Sequence, residues 1–152
     1  MEVGRRILLL NGYARGVVLE AAAALVATRL GLRIIGLRRW RAVLASLAPT
    51  TANADDPNRL ATAREISRLE AATARCLFFQ STCLEQSLAL WWLLRRHGVS
   101  AELRLGARKE SNRFEAHAWV QLDGAILNNS AAGDVHFVPF EGPVSSLEAQ
   151  AR

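Results

Sequence analysis

From Val17 to Leu47 apolar positions recur with a helical period. Leu19, Ala22, Ala23, Val26 and Leu30 fall on one line, with Glu20 and Arg29 off it. Gly31 and Gly36 predict a break or bend. The piece after them, Leu37 to Leu47, sets Trp40, Val43, Leu44 and Leu47 against Arg38, Arg39 and Arg41, and Pro49 ends it. Two amphipathic helices over a core are expected, with the arginine side as a candidate docking face. Residues 50–56 are polar and loop-like. Asp56 before Pro57 is a helix start, a capping acceptor followed by proline in the first turn. That helix is expected to run to about Arg75, with Leu60, Ile66, Leu69 and Ala72 inward. Cys76 opens a short apolar run to Phe79 and reads as a small core residue.

Thr82-Cys83-Leu84-Glu85 fits a capping box, with Thr82 as the cap and Glu85 three residues on. The helix behind it carries Leu88, Leu90, Trp91, Trp92, Leu93 and Leu94. It closes on Arg95-Arg96-His97 and Gly98, cations and then glycine. After Gly98 the period shortens to two. Ala101, Leu103 and Leu105 alternate with Glu102 and Arg104 in a strand from Val99 to Arg108. A polar loop over 109–113 is expected, then strands over 115–122, 125–129 and 135–140. Asp123-Gly124 and residues 130–133 are the turns, and 141–152 forms a loop or short terminal helix. Helices followed by a meander make an α+β protein, an N-terminal helical part and then a helix packed on an antiparallel sheet. Residues 1–152 read as a single domain, divided into a helical part, 1–75, and a helix-plus-sheet core, 76–140.

Composition narrows the classes. Of 152 residues, 51% are hydrophobic, and four Trp and five Phe add bulk, enough for a real core. The net charge of +5, almost all of it arginine, favours acidic partners. No aromatic-interleaved basic stripe appears, which argues against nucleic acid. Arg5-Arg6 and the apolar run Ile7 to Leu10 are too short for a signal core or a membrane span, and no other segment is long enough to span. Two cysteines with six residues between them, and a helix start there, suit neither a disulfide scaffold nor a zinc site. Both read as reduced thiols in a cytoplasmic protein. No phosphate-binding glycine loop is present.

The candidate chemistry is a thiol with a base. Cys83 falls in the first helical position, where unpaired N–H groups and the positive end of the dipole stabilise a thiolate. His117 sits on a strand between Ala116 and Ala118, which leave room beside an imidazole. His97 reads as a solvated helix end, and His136 lies in a late strand without a helper motif. An asparagine can orient His117, and which one depends on the turn. A two-residue Asp123-Gly124 loop sets His117 opposite Ser130, with Asn128 on its side of the sheet. A three-residue loop with Gly124 at a bulge sets it opposite Asn129. Asp134 is a more distant option.

These residues resemble a family. Cys83-Leu84, Ser87 to Leu90, Leu94, Gly98-Val99, Leu103-x-Leu105-Gly106, His117-Ala118-Trp119-Val120 and Gly124 look like the stand-alone B2-type leader peptidase of lasso-peptide biosynthesis, in the transglutaminase-like cysteine protease superfamily. The resemblance spans most of the chain, and its specific part is Cys83 to Asn129. It implies a transglutaminase/papain-like core and removal of the leader from a ribosomally made precursor, with no metal or organic cofactor. A B1-type leader-recognition protein would deliver the precursor, and an ATP-dependent cyclase would take the product. It further implies Cys83 as nucleophile, His117 as base and then acid, and Asn129 where the family typically has aspartate twelve residues after the histidine. That spacing favours the three-residue turn. Backbone N–H groups at the helix start would hold the oxyanion, with Gln80 as a second donor. Other thiol acyl transfer, or a non-catalytic module that guides the precursor, are the alternatives.

Overall fold

The computed structural model describes residues 11–48, 56–110, 113–128 and 138–139. Three helices, α1 (Gly12–Leu47), α2 (Arg59–Cys76) and α3 (Cys83–Arg96), precede four strands, β1 (Glu102–Glu110), β2 (Arg113–Leu122), β3 (Ala125–Ile126) and β4 (Val138–Pro139). The α+β reading holds: a helical layer packs on a small antiparallel sheet. α3 is the centre of it. Leu88, Ala89, Leu90, Leu93 and Leu94 have no exposed surface and meet α1, α2 and the inner face of the sheet. Among the described residues no helix is long and apolar enough to cross a membrane.

α1 begins earlier than the periodicity suggested, because the Asn11 side chain accepts from the Ala14 N–H at 2.8 Å and caps it. Its buried face is Ala14, Val17, Val18, Ala21, Ala24, Leu25, Thr28 and Gly31, while Leu19 and Leu30 point outward. The expected apolar line is therefore displaced around the helix. Small residues let α1 lie close to its neighbours, so packing distance selects the face and not side-chain bulk. Gly31 does not break the helix. The bend is at Gly36 (φ 75°), in the left-handed region that glycine enters without strain. Beyond it Trp40 folds back over Gly31, where a Cβ would run into the indole. Leu44 is buried in that second piece, whereas Val43 and Leu47 are exposed, as are Arg38 and Arg39.

α2 starts at Arg59, two residues later than Pro57. Asp56 accepts from the Asn58 N–H (2.8 Å), so it closes a turn ahead of the helix instead of capping it. Cys76 is exposed at the last helical position and not in the core. At the end of α3, Gly98 (φ 75°) reverses the chain. The Val99 N–H reaches the Leu94 carbonyl (2.8 Å) and the Gly98 N–H that of Arg95 (3.1 Å), a Schellman closure.

The sheet order is β3-β2-β1-β4. The meander expectation fails at the last strand, because β4 pairs with β1 on the opposite edge (Gly106↔Pro139, Ala107↔Val138) and not with β3. The polar loop at 109–113 is also shorter than expected, since β1 and β2 pair out to Glu110↔Arg113. Asp123 (φ 48°) and Gly124 (φ 82°) are both left-handed, a two-residue type I′ turn whose twist suits the flanking strands. It sets Gln121↔Ile126 and Leu122↔Ala125, so the three-residue bulged register is overturned. Asn129, Ser130, Asp134, His136 and the tail 141–152 lie outside the described residues.

Helix propensity alone makes Gly31→Ala favourable by about 1 kcal/mol. With the indole in the way, it is expected to destabilise by about 1–3 kcal/mol. Chemical denaturation followed by Trp fluorescence gives the sign.

Candidate active site

Cys83 is the first residue of α3, a half-buried free thiol. The capping box forms as the residue types require. Thr82 Oγ1 accepts from the Glu85 N–H (3.2 Å), and Glu85 Oε2 accepts from the Thr82 N–H (2.9 Å). The approach to the thiol is clamped from α1. Arg29 donates to the Gln80 carbonyl (3.1 Å), lies 3.5 Å from the buried Glu85 carboxylate and covers the Phe79 ring at 4.6 Å. The N–H groups of a first helical turn have no partner inside the helix, so the end that carries Cys83 presents donors and partial positive charge.

His117 lies in β2 opposite Gly106 of β1. With no side chain there, the glycine leaves space beside the imidazole, which stacks on Trp119 with centroids 6.2 Å apart. Ala118, Val120 and Leu122 of β2 are buried, and Val120 and Leu122 share one core with Leu88, Leu90, Leu93 and Leu94 of α3. The α3 and β2 elements are joined by one hydroxyl. Ser87, one turn after Cys83, donates to the Ala118 carbonyl at 2.9 Å and has no exposed surface. This bond takes over where β3 leaves the edge of β2. The last ladder bond runs from the Leu127 N–H to the Val120 carbonyl (2.9 Å). The Val120 N–H then goes to Asn128 Oδ1 (2.7 Å), and Asn128 Nδ2 donates to Ser87 Oγ (2.8 Å). The Asn128 side chain is thus spent on tying β2, α3 and the end of β3 together.

The other histidine expectation is corrected. His97 is not a solvated helix end. Its Nε2 lies 3.1 Å from Glu20 Oε2, and its ring meets Tyr13 edge-on at 5.7 Å, so it fastens α3 to α1. Arg96 joins the same carboxylate at 3.2 Å. Sequence reasoning passes over Ser87, Arg29 and Glu70. Ser87 has a signal: a small hydroxyl among leucines, four residues after Cys83 on the face that must be buried. Among the described residues no three His, Cys, Asp or Glu side chains gather as metal ligands.

Two hollows flank the start of α3. A groove of about 230 Å³, open to solvent and lined in part by exposed Arg64, Arg68 and Ile126, lies between α2, Gln86 of α3 and the segment Ile126 to Asn128. An open trough of about 810 Å³ runs along the segment from Leu77 to Ser81. Both touch Ala71 and Gln86, so they adjoin. Glu70 lines the first. It is fully buried, and neither carboxyl oxygen has a hydrogen-bond partner. Burial pushes this carboxyl up from 4.5 to about 8, against a smaller downward pull from Arg75.

Ser87→Ala leaves the Ala118 carbonyl and the Asn128 amide short of a partner and is expected to cost about 2–4 kcal/mol, measured by urea denaturation. For Glu70 the folded chain holds a proton that the unfolded chain has released. Its contribution to stability is full below pH 4.5, falls as pH rises and is lost above about 8. The span is on the order of 5 kcal/mol. Glu70→Gln is expected to remove this slope, read as a flatter Tm between pH 5 and 9 than that of the unmutated chain.

Comparison with known families places this geometry. The profile of the transglutaminase-like superfamily matches residues 22–141, from within α1 past the last strand, and so takes in both Cys83 and His117. No curated protein and no solved structure matches. That superfamily generally contains cysteine proteases and acyl transferases, chemistry that starts from a thiol at a helix end. With most of its length matched and the helix-on-sheet core in place, the chain belongs to the transglutaminase-like superfamily.

Proposed function

We propose that the chain is a cytoplasmic cysteine peptidase that removes the leader from a ribosomally made lasso-peptide precursor. The observation that carries the reading is the position of Cys83, first in a capped helix whose next turn is bonded through Ser87 to the strand of His117. The B2-type motif residues from Cys83 to Gly124 supply the leader-peptidase subtype, and the trough along Leu77 to Ser81 offers room for an extended peptide.

In the proposed reaction the Cys83 thiolate adds to the carbonyl carbon of the last leader residue. The oxyanion is held by backbone N–H groups at the start of α3, that of Cys83 first, with Gln80 as the candidate second donor. His117 carries the thiol proton to the leaving amine as the C–N bond breaks. Water then adds to the thioester, His117 takes its proton, and the S–C bond breaks to free the leader carboxylate. Asn129 is the proposed orienter of His117. Asn128 already accepts from the Val120 N–H and donates to Ser87, and the two-residue turn withdraws the register that set Asn129 opposite His117, so Asn129 is proposed on the family spacing alone. The proposed partners are the precursor's leader, a B1-type recognition protein and the lasso cyclase, with Arg38, Arg39 and Arg41 as a docking face.

Incubation with precursor and recognition protein, read by mass, tests this. Cys83→Ala is expected to abolish cleavage while precursor binding persists, and maturation unchanged in that variant would eliminate the enzyme reading. Asn129→Ala is expected to lower the cleavage rate about 10²–10⁴-fold with Tm unchanged. Asn128→Ala is expected to lower Tm as well, because it opens the Ser87 junction.

A further inference from the structure

The two hollows beside the start of α3 make one continuous groove, because Ala71 and Gln86 belong to both. Its long wall is α2. Arg64, Arg68, Ala71 and Arg75 follow a 4-3-4 spacing, so they fall on one line of that helix, and all four line the groove. None of these three arginines takes part in the ion pairs found among the described residues. Glu70 is the one acid among the described lining residues, and both its carboxyl oxygens are shut off from solvent. A ligand in the groove therefore meets a row of accessible positive charge and, among the described residues, no accessible negative charge.

The two ends of the groove are apolar. Ile126 is half exposed at the end that holds Arg64 and Arg68. Phe78, at the Arg75 end, is 92% exposed, the most exposed of the large apolar side chains described. Its ring is backed edge-on by Phe79 at 5.2 Å, and Arg29 covers Phe79 at 4.6 Å. An aromatic ring supported from behind and open to water in front is a contact surface.

Length and spacing select an extended chain. From Arg64 to Arg75 the helix rises about 16 Å, the span of about five residues of extended peptide. Arg64 and Arg68 stand about 6 Å apart along the axis, close to the repeat of about 6.6 Å between alternate side chains of a strand. Acidic residues at alternate positions of a peptide match that pair. The Ile126 end, at about 230 Å³, is small for a helix about 10 Å across. The neighbouring chemistry favours peptide over nucleic acid. Gln86 stands one turn from Cys83, about 5 Å along α3, and the superfamily's thiol chemistry acts on acyl groups.

We propose that this groove binds an acidic, extended segment of the peptide presented to Cys83, its carboxylates on Arg64, Arg68 and Arg75 and its apolar side chains on Ile126 and Phe78. That the peptide is a substrate rests on the peptidase reading; its capture by the groove does not.

The probe is an acetylated hexapeptide amide with leucine and phenylalanine at its ends, glutamate second and fourth, and alanine between. It is titrated into the ¹⁵N-labelled full chain carrying Cys83→Ala, so that no cleavage is involved. Saturable shifts at Ala71, Phe78, Gln86 and Ile126 are expected, with affinity falling as salt is added. The same peptide with glutamine or lysine in place of glutamate should bind about tenfold more weakly or worse. Arg64→Glu combined with Arg68→Glu should lower affinity about tenfold or more, since two attractions become two repulsions of modest size each. Phe78→Ser should lower it about threefold or more, while Arg104→Gln, outside the groove, should stay within about twofold. If the double reversal also lowers Tm, Arg64→Gln with Arg68→Gln should give a smaller loss in the same direction. Equal affinity for the glutamine peptide, no effect of the arginine and Phe78 variants, or no binding up to the solubility limit would overturn the proposal. So would tighter binding of a thymidylate hexamer at the same residues, which would make the groove a nucleic-acid site. If the probe binds as stated while the Cys83 protein leaves the precursor intact, the peptidase reading fails and the groove stands. If the precursor is cleaved and the probe does not bind, the groove fails and the peptidase reading stands.

Discussion

One serine hydroxyl holds the candidate site in register. Ser87 gives its proton to the Ala118 carbonyl and receives one from Asn128, which in turn caps the Val120 N–H. Three parts of the chain meet at this point: the first turns of α3, the middle of β2 and the segment just past β3. An edge strand that loses its neighbour exposes unpaired backbone groups. Here side chains fill the gap, and the helix lies against the strand edge at a distance set by hydrogen bonds. The leucines of α3 supply most of the burial, but they tolerate sliding, whereas the hydroxyl fixes the axial position of the turn that carries Cys83.

The approach to the thiol has its own constraint. Arg29 holds the Gln80 carbonyl, the Phe79 face and the Glu85 carboxylate at once, so one guanidinium joins the loop, the cap and α1. Glu20 does the same at the far end of α3, with Arg96 and His97. Single exposed ion pairs contribute little. These matter by position, because each fixes one end of the helix on which the candidate chemistry is mounted.

Local features are legible in the sequence. The capping box at Thr82, the glycine stop at Gly98, the strand alternation of Ala101 to Leu105 and the Asp123-Gly124 turn all depend on residues within a few positions of one another, and all form. Features that depend on tertiary packing are not. The buried face of α1 is lined by small residues, and a reading weighted by bulk selects Leu19 and Leu30 instead. His97 looks solvated because Glu20 is distant in sequence. The bulged register follows from family spacing, while the two left-handed residues at the turn enforce the tighter hairpin. Of the candidate site, Cys83 and His117 can be nominated from position and neighbours in the sequence, whereas Ser87, Arg29 and Glu70 gain meaning only through partners or burial that the chain brings together.

The sequence separations of these bonds bear on folding. The segment before Cys83 is held from 51 residues upstream, and its helix from 31 and 41 residues downstream. Long loops must close before any of the three forms, so the candidate nucleophile is positioned late, after most of the chain has collapsed. During synthesis the helix bearing the thiol emerges well before the strand that steadies it. A nascent chain would therefore carry Cys83 without the environment that makes a thiol selective, and the competence of the site is coupled to completion of the fold.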